Sequence, residues 1–175
     1  MNIGSRSKVR GVTLVELMII IAVIAIAATI AVPSLQQLLR NNRVAAQNNE
    51  LIALITLAKS QAIRRNQNWQ IEFVSNGFAW SANVRPPAGE GVDPVDDAGC
   101  PDIPGVIRCA SLQGVSLTGP ARLTFNNRGF LEQGADAWVT ERLTLEHQGC
   151  SGNRQAREIE VLPTGQVTSQ AIGCP

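Results

Sequence analysis

Gly11-Val12-Thr13-Leu14-Val15-Glu16-Leu17-Met18-Ile19-Ile20-Ile21 opens the stretch that decides how this chain is built. Ahead of it lies a short leader whose only charges are Arg6, Lys8 and Arg10. Behind it, residues 17–39 carry no charged side chain. Those 23 positions are enough to cross a bilayer as a helix rising about 1.5 Å per residue. Glu16 stands at the edge of this run. A carboxylate in hydrocarbon is costly, so it asks for a partner or a purpose. A basic leader before an apolar run also fits a secretory signal peptide. Against that, the run is long, no small-x-small cleavage site closes it, and helix-like sequence continues past Pro33. A plain membrane anchor would not account for an acid placed five residues after a glycine at the membrane edge.

The run from Gly11 to Pro33 resembles the class III signal of type IV prepilins and type II secretion pseudopilins. The resemblance implies that a prepilin peptidase cuts between Gly11 and Val12 on the cytoplasmic side and that the new amino terminus, Val12, is methylated. Val12 stands where the family more often has Phe. Glu16 then becomes the fifth mature residue and Pro33 the twenty-second, both family positions. The same resemblance implies a single-pass protein of the bacterial inner membrane with a periplasmic head, later carried into a filament at the cell surface. Its partners there are other pilin subunits. In such a filament the Glu16 carboxylate meets the charged amino terminus of a neighbour, each offsetting the other's burial cost. A plainer role is a membrane-edge glutamate that snorkels to water.

Composition narrows the chemistry. The chain has 175 residues, room for a membrane stem and one domain of about 100 residues. Without the leader, 12 Lys+Arg face 14 Asp+Glu, so any nucleic-acid contact must use a local patch. Tyr is absent and His147 is the one histidine, which leaves little acid–base or metal chemistry. No enzyme, cofactor or metal is expected. His147 lies near Glu146 and Cys150, but a cysteine expected to be oxidised is no thiolate nucleophile. His147 therefore reads as a surface or strand-end residue. Cys100, Cys109, Cys150 and Cys174 all follow the membrane segment, in a compartment that favours disulfides. Three pairings are open. Cys100–Cys109 with Cys150–Cys174 is favoured because each closes a local loop. Zinc finds no C-x2-C spacing.

The periodicity predicts one helix over residues 14–65, kinked at Pro33. Leu51, Ile55, Ala58 and Ala62 recur at helical spacing and form the stripe on which a sheet packs. Arg40, Arg43, Glu50, Lys59, Arg64 and Arg65 mark its polar faces. Strand signals follow at 69–74 and 78–84, with a hairpin about Asn76-Gly77 between them. Residues 86–105, rich in Pro, Gly and Asp, read as a long loop. Further strands are expected at 115–117, 122–125, 138–145, 158–162 and 166–169. A long helix followed only by strands is an α+β pattern with an antiparallel sheet packed on the helix. The predicted organisation is a leader (1–11), a transmembrane and filament-core half of the stem (12–39), an amphipathic half (40–66) and a β-rich head (67–175).

Three later segments narrow the resemblance to the GspH/FimT family of minor pilins and pseudopilins. They are residues 57–66 (Leu-Ala-Lys-Ser-Gln-Ala-Ile-Arg-Arg-Asn), 123–129 (Leu-Thr-Phe-Asn-Asn-Arg-Gly) and 150–175, from Cys150 to the terminal Cys-Pro. This implies a minor pilin of a type IV pilus; the alternative is a GspH-like pseudopilin of a type II secretion system. The C-terminal cysteines lean towards FimT. Some FimT-like members bind DNA during natural transformation through a C-terminal Gly-Arg-x-Arg motif. Aligned on Ile159-Glu160-Val161, Arg157 takes the second arginine position, Gln155 the first and Arg154 the glycine. Aligned on Gly152, Asn153 stands where the first arginine belongs. Either register departs from the motif. Two readings stand. In one, Arg154 and Arg157, extended by Arg128 and Arg142, touch the backbone of double-stranded DNA, with weak, salt-sensitive affinity. In the other they are solvated loop residues.

Overall fold

Residues 14–65 contain no glycine and a single proline, and they form one helix, α1 (Leu14–Arg65), in the computed structural model. The structure describes residues 12–86, 106, 108–132, 139–150 and 155–174. Thr13 caps the start of α1: its Oγ1 accepts the Glu16 N–H at 3.2 Å, and its carbonyl accepts the Leu17 N–H at 3.1 Å. Thr-x-x-Glu is the capping-box sequence, and an acid in the first turn also suits the helix dipole. Pro33 lies inside α1 without ending it. Arg64 and Arg65 occupy the last turn, where cations are favoured, and Asn66 adopts a left-handed φ of 52° just beyond it.

The chain divides into two units, Met1–Leu39 and Arg40–Pro175. In the first, every described side chain is exposed, Leu17, Ile21, Ile24 and Leu35 among them. In the second, the predicted stripe is the core: Leu51, Ile55, Ala58 and Ala62 have no exposed surface. Val44 and Leu54 widen it, and Gln47 and Asn48 are buried beside them.

Eight strands follow: β1 (Trp69–Asn76), β2 (Ala79–Arg85), β3 (Arg108–Gln113), β4 (Val115–Thr118), β5 (Arg122–Phe125), β6 (Glu141–His147), β7 (Ala156–Val161) and β8 (Val167–Ile172). They form two sheets, ordered β3-β2-β1-β5 and β4-β6-β7-β8, with every pairing antiparallel. Alternation sends Trp69, Ile71 and Phe73 of β1 and Leu143 and Leu145 of β6 into one apolar cluster with α1. Several polar groups in that cluster are paired, while Trp69 Nε1 finds no partner among the described residues. Gln47 Oε1 accepts Trp80 Nε1–H at 2.9 Å and its Nε2 donates to the Gln113 carbonyl at 3.0 Å. Ser169 Oγ donates to Asn48 Oδ1 at 2.8 Å. These bonds remove the desolvation cost of burying amides. On the other face of β1 and β2, Arg85 makes a two-pronged pair with Glu72, at 2.7 and 3.0 Å.

The fold is α+β, with sheet packed on the helix as expected; the differences are local. Two sheets replace one, and the chain changes sheet at Gly114, between β3 and β4. The first hairpin turns one residue later than the sequence suggested: Asn76 is still in β1, paired with Ala79, and Gly77-Phe78 forms the two-residue loop. Gly77 has φ +59° while Phe78 has no positive φ, the pattern of a turn that needs glycine at its first central position. β3 was not foreseen, because Arg-Cys-Ala-Ser-Leu-Gln has little apolar alternation, as befits an edge strand exposed or half-buried along its length. The strand expected at 138–145 runs instead over Glu141–His147. Most of the predicted 86–105 loop lies outside the described residues.

Candidate functional site

Three groups of residues are candidates from the sequence, and the fold adds a fourth. The first is the processing and assembly segment. Gly11 lies outside the described residues; Val12 and Glu16 are exposed, and Glu16 sits in the capped first turn of α1. Its backbone N–H is held by Thr13, which leaves the carboxylate without an ion pair among the described residues.

The second group is the cysteines. Cys150, just after β6, is bonded to Cys174, just after β8, with Cα atoms 5.8 Å apart. The bond ties the chain's last described residue to the far side of β7. Cys109, in β3, is also disulfide-bonded. Its expected partner, Cys100, lies outside the described residues. Cys150 is thus no thiol, and its neighbour His147 serves the turn instead: Nδ1 accepts the Gly149 N–H at 3.1 Å.

The third group is the arginines considered for DNA. Arg154 lies outside the described residues. Arg142, on β6, is exposed but bonded to Glu160 of β7 at 2.9 Å. Arg157 is the second residue of β7, half-buried, opposite Leu145 and Ala171. Arg128 is exposed in the turn after β5, beside the end of α1, where Asn127 Nδ2 donates to Asn66 Oδ1 at 3.0 Å. The turn after β7 closes against this same place. A methyl group on Gly165 would meet the Gly129 carbonyl, and Lys59 Nζ donates to the Thr164 and Gly165 carbonyls at 3.2 and 2.9 Å. About 13 Å of strand separates Arg157 from Val161 and the Gly165 turn that follows. The structure therefore puts Arg157 and Arg128 at opposite ends of β7 and neutralises Arg142.

The fourth group was read only as polar surface. Arg40 and Arg43 are exposed and, among the described residues, form no ion pair. The Arg40 guanidinium lies over Gly149, where an added methyl would meet Nη1 at 2.7 Å. Arg43 lies over Gly114 in the same way, at 2.9 Å. Val115 pairs with His147, so these two glycine turns adjoin at one end of the second sheet. His147 is held below its ordinary pKa of 6.5, first by burial, then by the charges of Arg40 and Arg43. A depressed folded-state pKa means that the unfolded chain binds the proton more readily. This contribution is therefore fully present above pH 6.5 and is lost as pH falls below it. His147→Gln is expected to flatten the fall in melting temperature between neutral pH and about pH 5. Melts at several pH values check this; identical slopes in both proteins would contradict it. The signal in the sequence was position: Arg40 and Arg43 are the first charges after a long uncharged run.

Comparison with known proteins agrees with this geometry. The family model described as type II transport protein GspH matches residues 47–165, and the prokaryotic N-terminal methylation motif matches residues 6–32. Two crystal structures of the type IV minor pilin FimU from Pseudomonas aeruginosa strain PAO1 are similar in fold. One has a TM-score of 0.53 at 15% sequence identity, covering 74% of this chain and 89% of that one. The other, from a different crystal form, has a TM-score of 0.50 at 16% identity, covering 70% and 88%. No curated protein matches the chain.

Proposed function

The chain belongs to the GspH family and is a pilin-like subunit, and from that premise we propose that it is a minor pilin of a type IV pilus. It is made as a prepilin anchored in the inner membrane by residues 12–39, with its head in the periplasm. The prepilin peptidase cleaves it between Gly11 and Val12 and methylates Val12. It then joins a filament in which stem helices exchange lipid for neighbouring stems. The observation that carries this reading is one wholly exposed apolar helical segment, preceded by a single acid, Glu16, in its first turn. In water such a surface would aggregate. Bilayer and filament are the two environments that cover it.

A GspH-like pseudopilin of a type II secretion system is the second reading, and the description of the matched family favours it. The two differ in destination. A pilus subunit is expected in filaments sheared from the cell surface. A pseudopilin is expected to stay with the cell envelope and to co-purify with secretion components. DNA uptake would be a finer role of the pilus reading. Its support is the exposure of Arg128 and the partial exposure of Arg157; the distance between them and the Arg142–Glu160 pair weigh against a single patch.

A further inference from the structure

Arg40 and Arg43, which form no ion pair among the described residues, are not explained by packing, by assembly through Glu16 or by the DNA motif. They lie three apart on α1, so they project on neighbouring sides of one turn. Each lies across a glycine turn at the same end of the second sheet, which leaves the guanidinium edges open to solvent. The nearby acids among the described residues are engaged or turned away. Glu50 is bonded to Arg108 at 3.0 Å. Glu146 precedes His147 on β6, and alternation sends it to the opposite face of the sheet. A guanidinium carries five donors in a planar fork suited to phosphate oxygens. The fold thus presents two such forks side by side with no carboxylate among the described residues to occupy them.

Chain position says which phosphates. Arg40 directly follows Leu39, the last of the uncharged residues, and Arg43 is about 4.5 Å further along the helix. The headgroup layer on each side of a bilayer is roughly 5–8 Å deep. Both arginines therefore fall within it when residues 17–39 fill the hydrocarbon. We propose that Arg40 and Arg43 bind the headgroup phosphates of anionic phospholipid in the leaflet where the apolar segment ends, holding the head against the membrane before assembly. The proposal rests on the membrane reading above. DNA phosphate offers the same chemistry but would have to approach the lipid surface closely; chain connectivity brings the lipid phosphates there without a further step.

The test uses the full chain, purified in detergent, titrated with phosphatidylglycerol or phosphatidylcholine and read as bound lipid by native mass spectrometry. Two arginines at a charged lipid surface correspond to about thirtyfold in affinity. Wild type should prefer phosphatidylglycerol, and Arg40→Gln with Arg43→Gln should lose about that factor, while Arg40→Lys with Arg43→Lys retains most of it. The leader cations are common to all three proteins and cancel. A circular-dichroism melt of each checks that the head is intact. Equal phosphatidylglycerol affinity in wild type and the glutamine variant would overturn the proposal, as would equal affinity of wild type for both lipids. A short DNA duplex is titrated in parallel. Duplex binding lost in the glutamine variant with phosphatidylglycerol affinity unchanged would overturn it and assign the pair to DNA. Partition of wild type into vesicles of phosphatidylcholine alone reports the membrane reading separately. If that partition fails, the membrane reading fails, whatever the lipid preference.

Discussion

Glu16→Gln is expected to leave the chain in the membrane, with its first helical turn intact, and to reduce its incorporation into filaments on the order of a hundredfold. The size follows from the asymmetry of buried ion pairs: removing one partner strands the other charge in a low-dielectric bundle, which costs far more than the intact pair gains. Glutamine is the informative substitution because Glu16 also occupies a helix-start position that suits glutamine equally well. It stands at the capping-box position relative to Thr13, whose Oγ1 already accepts the Glu16 N–H. Gln serves that box as well as Glu does, so Glu16→Gln keeps the cap and removes only the charge. Glu16→Ala removes the charge and the rest of the side chain but keeps the backbone N–H that Thr13 accepts. If Glu16→Gln co-purified with filaments at wild-type levels and Glu16→Ala did not, the residue would be a helix cap and the pairing with a neighbour's amino terminus would be wrong.

Cys150→Ser with Cys174→Ser is expected to cost about 3 kcal/mol and to lower the melting temperature of the head by roughly 10 °C. The cross-link closes a separation of 24 residues, and in the loop-entropy account its main effect is to restrict the unfolded chain. It also has a position in the folded state. β8 is an edge strand with mostly exposed or half-buried residues, held by β7 on one side only. Cys174 anchors its end to Cys150, beyond the far strand β6. Thermal melts of the full chain in detergent, for wild type and the double variant, measure the effect. A shift of only a degree or two would mean that the ladder with β7 suffices to hold β8.

The helix and its buried stripe were legible in the sequence because both rest on periodicity. Residues 14–65 lack glycine, and Leu51, Ile55, Ala58 and Ala62 repeat at the spacing of one helix face. Most strands were legible for the same reason. The division into two sheets was not. Gly114 alone separates β3 from β4, and nothing local tells an antiparallel strand which of two sheets it joins; that depends on partners such as His147, which pairs with Val115 from 32 positions away along the chain. β3 itself, lacking alternation, was invisible. The arginines show the converse limit. Arg154 and Arg157 stood out because they lie near a known motif, yet position on β7 is what separates Arg157 from Arg128, and a cross-strand partner is what occupies Arg142. Arg40 and Arg43 carried no motif. Their significance depends on Gly114 and Gly149, more than 70 residues further on, which the fold brings beneath them.

The central claim is that this chain is a processed filament subunit, and the intact mass of the protein recovered from sheared surface filaments tests it most directly. The account predicts a chain that begins at Val12, with both disulfides formed and one methyl group on Val12; when the prepilin peptidase is absent, none is recovered from sheared filaments and the membrane fraction holds the chain with its leader attached. A chain cut after the apolar run, or one that keeps its leader in the presence of the peptidase, would contradict it.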